Sequence, residues 1–422
     1  MLKNSLIFGL LSILLLSCTP QESTDISPAA GKWRGVLTLE EGVTLPFFFT
    51  WNTAEGGKAT MEVLNDQERL LVDEIVQRGD SLFIDMPIFN SAFVLHLRSE
   101  TEMQGYWANR ARGEDYQLAF TASHNPTSLF DGAEGAVSTE VAPRYAVDFD
   151  EGEDQFPAVG VFKQEGASLQ GTFMTETGDY RYLDGQAANG QLSLSTFDGA
   201  HAFLFTAQQD STGTLQGTFY SGNHYKVAWT GTPNPEAELR APEDLTYLKE
   251  GYDRFDFAFP NLEGDTVRLD DPLFQGKVVI VQIMGSWCPN CMDESQLYSD
   301  WYKTYKSQGL EIVGLGFEGT PTTEQALNNL RRLKERLAID YTLLLASNSR
   351  SKLDAAETLP QLNHVMSFPT SIFIDREGQV RRIHTGFNGP GTGDVYTRYV
   401  EEYQAFIEKM LGEIDPSTVA QK

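Results

Sequence analysis

The sequence predicts two folds in one chain: an antiparallel all-β barrel or sandwich over residues 31–234, and an α/β unit over 251–413. Three observations carry this. The first half shows short runs in which apolar and polar residues alternate, with no helical period. The second half alternates continuous apolar runs with stretches of helical spacing, the pattern of a mixed sheet flanked by helices. Between them, Thr232-Pro-Asn-Pro-Glu-Ala-Glu-Leu-Arg-Ala-Pro242 is polar and proline-rich. It marks a semi-extended linker, placed at 235–250.

The chain begins with Lys3 and a run dominated by Leu and Ile, read as a secretory signal over residues 1–17. The run is shorter than the roughly 20 residues that span a bilayer. It ends Leu15-Leu16-Ser17-Cys18, which resembles the bacterial lipobox. The resemblance implies cleavage before Cys18 and lipidation of its thiol, which anchors a protein to a membrane without spanning it. The alternative is an ordinary signal peptide with an incidental cysteine. Residues 18–30 are polar and read as a tether, and 414–422 as a tail.

In the β-rich half, runs such as Val36-Leu-Thr-Leu39, Phe93-Val-Leu-His-Leu97 and Tyr225-Lys-Val-Ala-Trp229 read as strands, punctuated by turns such as Ala188-Asn189-Gly190. A short motif recurs: Met103-Gln104-Gly105-Tyr106-Trp107, Leu169-Gln170-Gly171-Thr172-Phe173 and Leu215-Gln216-Gly217-Thr218-Phe219. Gly105 and Gly217 lie 112 residues apart. The repeat predicts a hairpin unit used more than once, with glycine where strands bend or approach closely. Two similar halves are expected to form either two packed sheets or one up-and-down barrel of about eight to ten strands. Gly31-Lys32-Trp33 weakly resembles the lipocalin opening, so a ligand-holding barrel is one reading. Aromatics filling a core is the other, and the more ordinary one. His96, His124, His201 and His224 show no metal-ligand spacing.

In the α/β half, residues 255–269 read as a hairpin turning at Asn261-Leu-Glu-Gly264. Residues 278–284 are almost wholly apolar and β-branched, as in a central buried strand. Leu297, Trp301 and Tyr305 then fall four apart, on one face of a helix. Residues 311–317 form a second buried strand. Thr320-Pro321 are expected to open a helix whose apolar stripe is Leu327, Leu330, Leu333 and Leu337. A short strand over 341–345 and a helix over 351–358 follow. Residues 371–375 and 380–384 read as a hairpin. A last amphipathic helix carries Tyr396, Tyr399, Tyr403, Ile407 and Met410 and stops at Gly412.

The joint between the first of these strands and its helix reads Trp287-Cys288-Pro289-Asn290-Cys291. Cys288 is expected at or just before the first helical turn, where unpaired N–H groups and the helix dipole favour a thiolate, with a pKa anywhere from roughly 3.5 to 7.5. Cys291, almost one turn on, can reach back to it, and Pro289 fits the first turn. This is a dithiol/disulfide redox site. The bland readings are a zinc half-site or two core cysteines. Zinc wants about four ligands, the only other cysteine is Cys18, and the next histidine is His364. No metal and no cofactor are expected. Gly314-Leu-Gly316-Phe-Glu-Gly319 matches a dinucleotide fingerprint in form only, because the chain lacks room for two mononucleotide halves.

Together with Phe368-Pro369-Thr370 and the late hairpin around Gly378, this joint resembles the thioredoxin fold. The leading hairpin, the insertion before Pro369, and Glu294 three residues after Cys291 resemble its TlpA/ResA branch of extracytoplasmic, membrane-tethered thiol-disulfide oxidoreductases. The resemblance covers about 160 residues. It implies Cys288 as attacking thiolate, Cys291 as resolving thiol, and Glu294 as the acid that modulates thiol protonation. Pro369 would be a cis proline facing the dithiol. Trp287, Pro289, Phe368 and Thr370 would complete the substrate-contacting surface, Phe368 through its backbone groups. Ser295-Gln296 stand where the branch often has proline, and Glu294 can also be read as a first-turn carboxylate that suits the helix dipole.

A net charge of −27 and pI near 4.5 argue against nucleic-acid binding. The expected partners are disulfide-bearing envelope proteins such as apocytochromes, an unidentified membrane or periplasmic electron donor, and the membrane through the lipid on Cys18. The place is the periplasm. Two other function classes stay open. One is an envelope lipoprotein whose β half binds a ligand or protein, with an accessory redox domain. The other is a peroxiredoxin-like peroxidase, although Gly285-Ser-Trp-Cys288 lacks the threonine of a Thr-x-x-Cys setting.

Overall fold

The computed structural model describes residues 26–54, 56–132, 137–152 and 154–413. The expected signal peptide, Cys18, most of the tether and the 414–422 tail lie outside them. Among the described residues no helix is long and apolar enough to cross a membrane.

The β-rich half builds two ring-like antiparallel sheets rather than one shared barrel. In the first sheet nine strands run from Gly31–Glu40 to Gln117–His124. The first strand pairs with the last, Trp33 opposite His124, and the sheet is open only between Glu68–Val72 and Glu74–Arg78. In the second, Arg144–Glu151 pairs with both Asp154–Glu165 and Tyr225–Pro233, and Asp154–Glu165 also pairs with Ser168–Thr175. Eight of its strands thereby close an up-and-down ring, and closure leaves the ring no free edge. The ninth strand, Gly178–Asp179, is a two-residue turn-back on Ser168–Thr175 at the rim.

Each ring is filled by its own aromatic residues: Trp33, Phe47, Phe49, Phe93, Trp107 and Phe120 in the first, Tyr145, Phe149, Phe173, Phe205, Phe219 and Trp229 in the second. Packed interiors, rather than ligand cavities, are what the alternating pattern builds here. The rings also interlock. Phe197 of the second stacks on Phe47 of the first at 4.6 Å. Asn65 and Asn109 of the first donate to the carbonyls of Phe197 and Ala200. The motif glycines sit where strands crowd. A Cβ on Gly105, Gly171 or Gly217 would lie 2.0, 2.1 or 2.1 Å from the carbonyl oxygen of Val94, Val161 or Thr206 on the adjacent strand.

The linker is not free. Both Arg144 Nε and Nη2 donate to the Ala237 carbonyl, Leu245 and Thr246 are buried, and Leu248 bridges to Leu362.

The C-terminal half holds a hairpin, Ala258–Pro260 with Thr266–Arg268, and a five-stranded sheet. The sheet order is Thr342–Ser347, Leu310–Phe317, Val278–Met284, Thr370–Ile374, Val380–Thr385. The first three strands are parallel and the last two antiparallel. Val278–Met284 is central and buried along its whole length. Helices Pro289–Tyr305 and Asp394–Gly412 meet through Trp301 and Tyr399. The helix expected to open at Thr320-Pro321 starts later, as Thr323–Arg336. Thr322 caps it by accepting the Gln325 N–H, since a side-chain oxygen at that position satisfies an otherwise orphan donor. Gly314 and Gly316 lie inside a strand, where a Cβ on Gly316 would meet Leu330 at 2.9 Å. Gly316 makes room for that helix and Gly314 for Leu343 of the next strand, where a Cβ would lie 2.6 Å away.

Candidate redox site

The central strand delivers the chain to the helix start at Cys288. Cys288 has extended backbone angles and is the N-cap of Pro289–Tyr305; its Sγ accepts the Cys291 N–H at 3.3 Å. On its other side the Cys288 thiol donates to the Phe368 carbonyl at 3.4 Å. The Phe368–Pro369 peptide is cis. Thus the dithiol and the proline loop, eighty residues apart in sequence, face each other. Both cysteines are free thiols; Cys288 is 6% exposed and Cys291 fully buried. Burial first, and the neighbouring Cys288 sulfur second, push the Cys291 thiol well up. Among the described residues no group of three or more metal-ligating side chains forms.

Glu294 is fully buried beneath the dithiol. It accepts from Gln282 Nε2 at 2.9 Å, Ser371 Oγ at 3.0 Å and the Tyr298 hydroxyl at 3.1 Å. Burial lifts its carboxyl to about 7, although these three donors pull it down. Gln282 also donates to the Cys291 carbonyl at 3.3 Å, so one amide links the carboxylate to the backbone of Cys291, one turn earlier on the same helix. This placement is more specific than a first-turn carboxylate on a helix surface.

Trp287 is half-buried. Its Nε1 donates to the Phe317 carbonyl, its ring meets Phe368 edge-on at 5.5 Å, and the Arg350 guanidinium lies over it. Pro289 occupies the first helical turn and is buried. Thr370 is fully buried and donates to the Ser367 carbonyl at 2.8 Å, so its side chain braces the proline loop from inside.

Several residues here escape a reading of the sequence. Gln282 is one; a lone polar residue in a seven-residue apolar strand is its only signal. Glu318 is another: buried, it accepts from both Ser286 N–H and Ser286 Oγ two residues before Cys288, and burial raises its carboxyl. The third group comes from the β-rich half. Asn290, between the cysteines, donates to the Asp179 carbonyl and side chain. Arg181 forms ion pairs with Asp293, Glu68 and Asp198. Nothing in the sequence ties residues 179–181 to a site more than a hundred positions away.

A model of the AhpC/TSA family matches residues 251–383. The thiol-disulfide oxidoreductases ResA of Geobacillus thermodenitrificans and Bacillus subtilis are each 29% identical, over 131 and 139 residues. The matches cover 31% and 33% of this chain, and 66% and 69% of those proteins. The matched part therefore spans about two thirds of these relatives. Among solved structures, a DsbE thiol:disulfide interchange protein from Chlorobium tepidum shares 22% identity, with 37% of this chain, 98% of that chain and a TM-score of 0.28. A protein disulfide isomerase structure from Bacteroides thetaiotaomicron shares 22%, with 40%, 93% and 0.30. The family match on residues 251–383 and the likeness to the ResA thiol-disulfide oxidoreductases both fall on the half of the chain that sets the dithiol against a cis proline.

Proposed function

We propose that this chain is an extracytoplasmic thiol-disulfide oxidoreductase that reduces protein disulfides and is held to a membrane through lipid on Cys18. The observation that supports it best is Cys288 at the helix N-cap, facing the Phe368 carbonyl of the cis-proline loop, with Cys291 one turn behind. A thiolate at that position is favoured by the helix dipole and attacks a partner disulfide. A Cys288–partner bond forms, and the partner's other sulfur leaves and takes a proton. Cys291 then attacks the Cys288 sulfur and displaces the partner's remaining sulfur. The chain ends as a Cys288–Cys291 disulfide, having given two electrons to the partner, and a separate dithiol donor restores it.

Cys291 must lose its proton for the second step, and burial opposes that. Glu294, at about 7 and joined to Cys291 through Gln282, is the nearby group able to take the proton at neutral pH. The natural partners are disulfide-bearing envelope proteins such as apocytochromes. The face around Pro369 would hold them, through Trp287 and the Phe368 backbone. The test is reduction of a protein disulfide by the full chain with a dithiol donor. Cys288→Ser is expected to abolish turnover. Full activity in that variant, or consumption of peroxide in place of disulfide, sinks the proposal.

A further inference from the structure

The face around the dithiol is already occupied, by this chain's own residues. Residues 176–181 turn at the rim of the second ring and lie against the redox domain. Ser367 Oγ, two residues before the cis proline, donates to the Thr177 carbonyl at 2.6 Å. Asn290 Nδ2 donates to the Asp179 carbonyl at 3.1 Å and to its Oδ1 at 2.9 Å; the Gly389 N–H donates to the same Oδ1 at 3.0 Å. The approach is close on both sides. A Cβ on Gly178 would lie 2.8 Å from Asn290 Nδ2, and one on Gly386 2.9 Å from the Thr177 carbonyl carbon. Both glycines have positive φ, 134° and 77°, which only glycine adopts readily. Arg181 fastens the turn through Glu68, Asp198 and Asp293. Beside this turn Cys288 keeps 6% exposure, and Phe368 and Pro369 are buried.

We propose that residues 176–181 are a built-in occupant of the partner groove, and that the partner segment which replaces them is extended and carries a carboxylate side chain where Asp179 now sits. This rests on the reading that Cys288 attacks partner disulfides. When the turn leaves, Ser367 Oγ and the Gly389 N–H lose their acceptors, and Asn290 Nδ2 keeps only the Phe387 carbonyl at 3.1 Å. Buried donors are costly to leave unmade, so the turn yields to a segment that restores them. A backbone carbonyl satisfies Ser367; a carboxylate satisfies Asn290 and Gly389 together, as Asp179 does. A tethered occupant also competes at a high effective concentration, so a segment lacking the carboxylate is excluded.

The test is the rate at which iodoacetamide modifies Cys288 in the reduced full chain, followed by mass spectrometry of the peptide that contains it. Asp179→Ala is expected to raise the rate about 10-fold or more, the effect of losing a hydrogen-bonded charge. Asp179→Asn keeps an oxygen acceptor but loses the charge, so it should raise the rate less than Asp179→Ala does but still above wild type; an Asn variant equal to wild type overturns the carboxylate preference. A blocked hexapeptide copying residues 176–181 at millimolar concentration should slow the Asp179→Ala protein again, whereas the same peptide with alanine at the aspartate position should not. Should Asp179→Ala fail to fold, Ser367→Ala loosens the other end of the turn, and the same rise is expected. An unchanged rate in a folded variant overturns the occupancy; equal protection by both peptides overturns the carboxylate preference. Alkylation needs no partner disulfide. Failure of the oxidoreductase reading would instead show as disulfide reduction that survives Cys288→Ser, whatever the alkylation rates.

Discussion

Glu294 sits where burial and hydrogen bonding oppose each other, and burial wins: its carboxyl rises from an ordinary 4.5 to about 7. A raised folded pKa means the folded state holds the proton more tightly than the unfolded chain. The stability this lends is complete below about 4.5 and is lost as pH rises through about 7. At 1.36 kcal/mol per pKa unit, wild type should lose about 2–3 kcal/mol between pH 5 and pH 8 that Glu294→Gln does not. Urea unfolding of both proteins at both pH values measures this; parallel pH dependence would show that the carboxyl is not held neutral by burial. The variant should also lose any inflection near neutral pH in the release of mixed disulfides. At this scale much is legible in the sequence. Two cysteines three apart at a strand-to-helix joint specify the N-cap geometry, and Glu294 falls one turn further along the same helix. Gln282 and Ser371, which hold that carboxylate, are not legible, because they reach it across strands whose pairing is a tertiary fact.

Among the elements, the recurring Gln-Gly pair shows what a local pattern can and cannot specify. Gly105, Gly171 and Gly217 mark places where the adjacent strand lies so close that a side chain would strike its backbone. Gly217→Ala is therefore expected to destabilise the second ring by about 1–3 kcal/mol through overpacking. Gly412→Ala, with nothing within 4 Å of the added Cβ, should cost nothing. Thermal unfolding of the two variants decides it; similar midpoints would mean the strand relaxes around the methyl. The alternation of Val36-Leu-Thr-Leu39 and its like reveals strands and their buried faces. It does not reveal that each half joins its first and last strands into its own ring-like sheet, since that depends on pairs such as Trp33 with His124 and Asp148 with Thr230, about ninety and eighty residues apart. One barrel and two rings share the same local signature.

Across the whole molecule, Arg181 ties both rings to the redox domain. Its side chain is 8% exposed and faces Glu68, Asp198 and Asp293, one from each body. Arg181→Met would leave Glu68 and Asp293 with no counter-charge and Asp198 with only the His201 ring. Breaking a buried ion pair in this way costs roughly 3–5 kcal/mol. Calorimetry should show the redox domain unfolding apart from the rings; a single transition at the wild-type temperature would show that the clamp does not couple them. The sequence marks the two halves through the proline-rich join but gives no sign that residues 176–181 meet the dithiol. Docking of one domain's turn on another's active face leaves no periodicity and no spacing to read.

Everything at the three scales converges on Cys288 as the sulfur that exchanges. The most direct measurement is intact-mass analysis of the Cys291→Ser chain after incubation with a disulfide-containing protein under native conditions. A covalent one-to-one adduct, mapped to Cys288 and released by dithiothreitol, is the expected result. No adduct at Cys288, in a folded protein whose Cys288 still reacts with iodoacetamide, would contradict it.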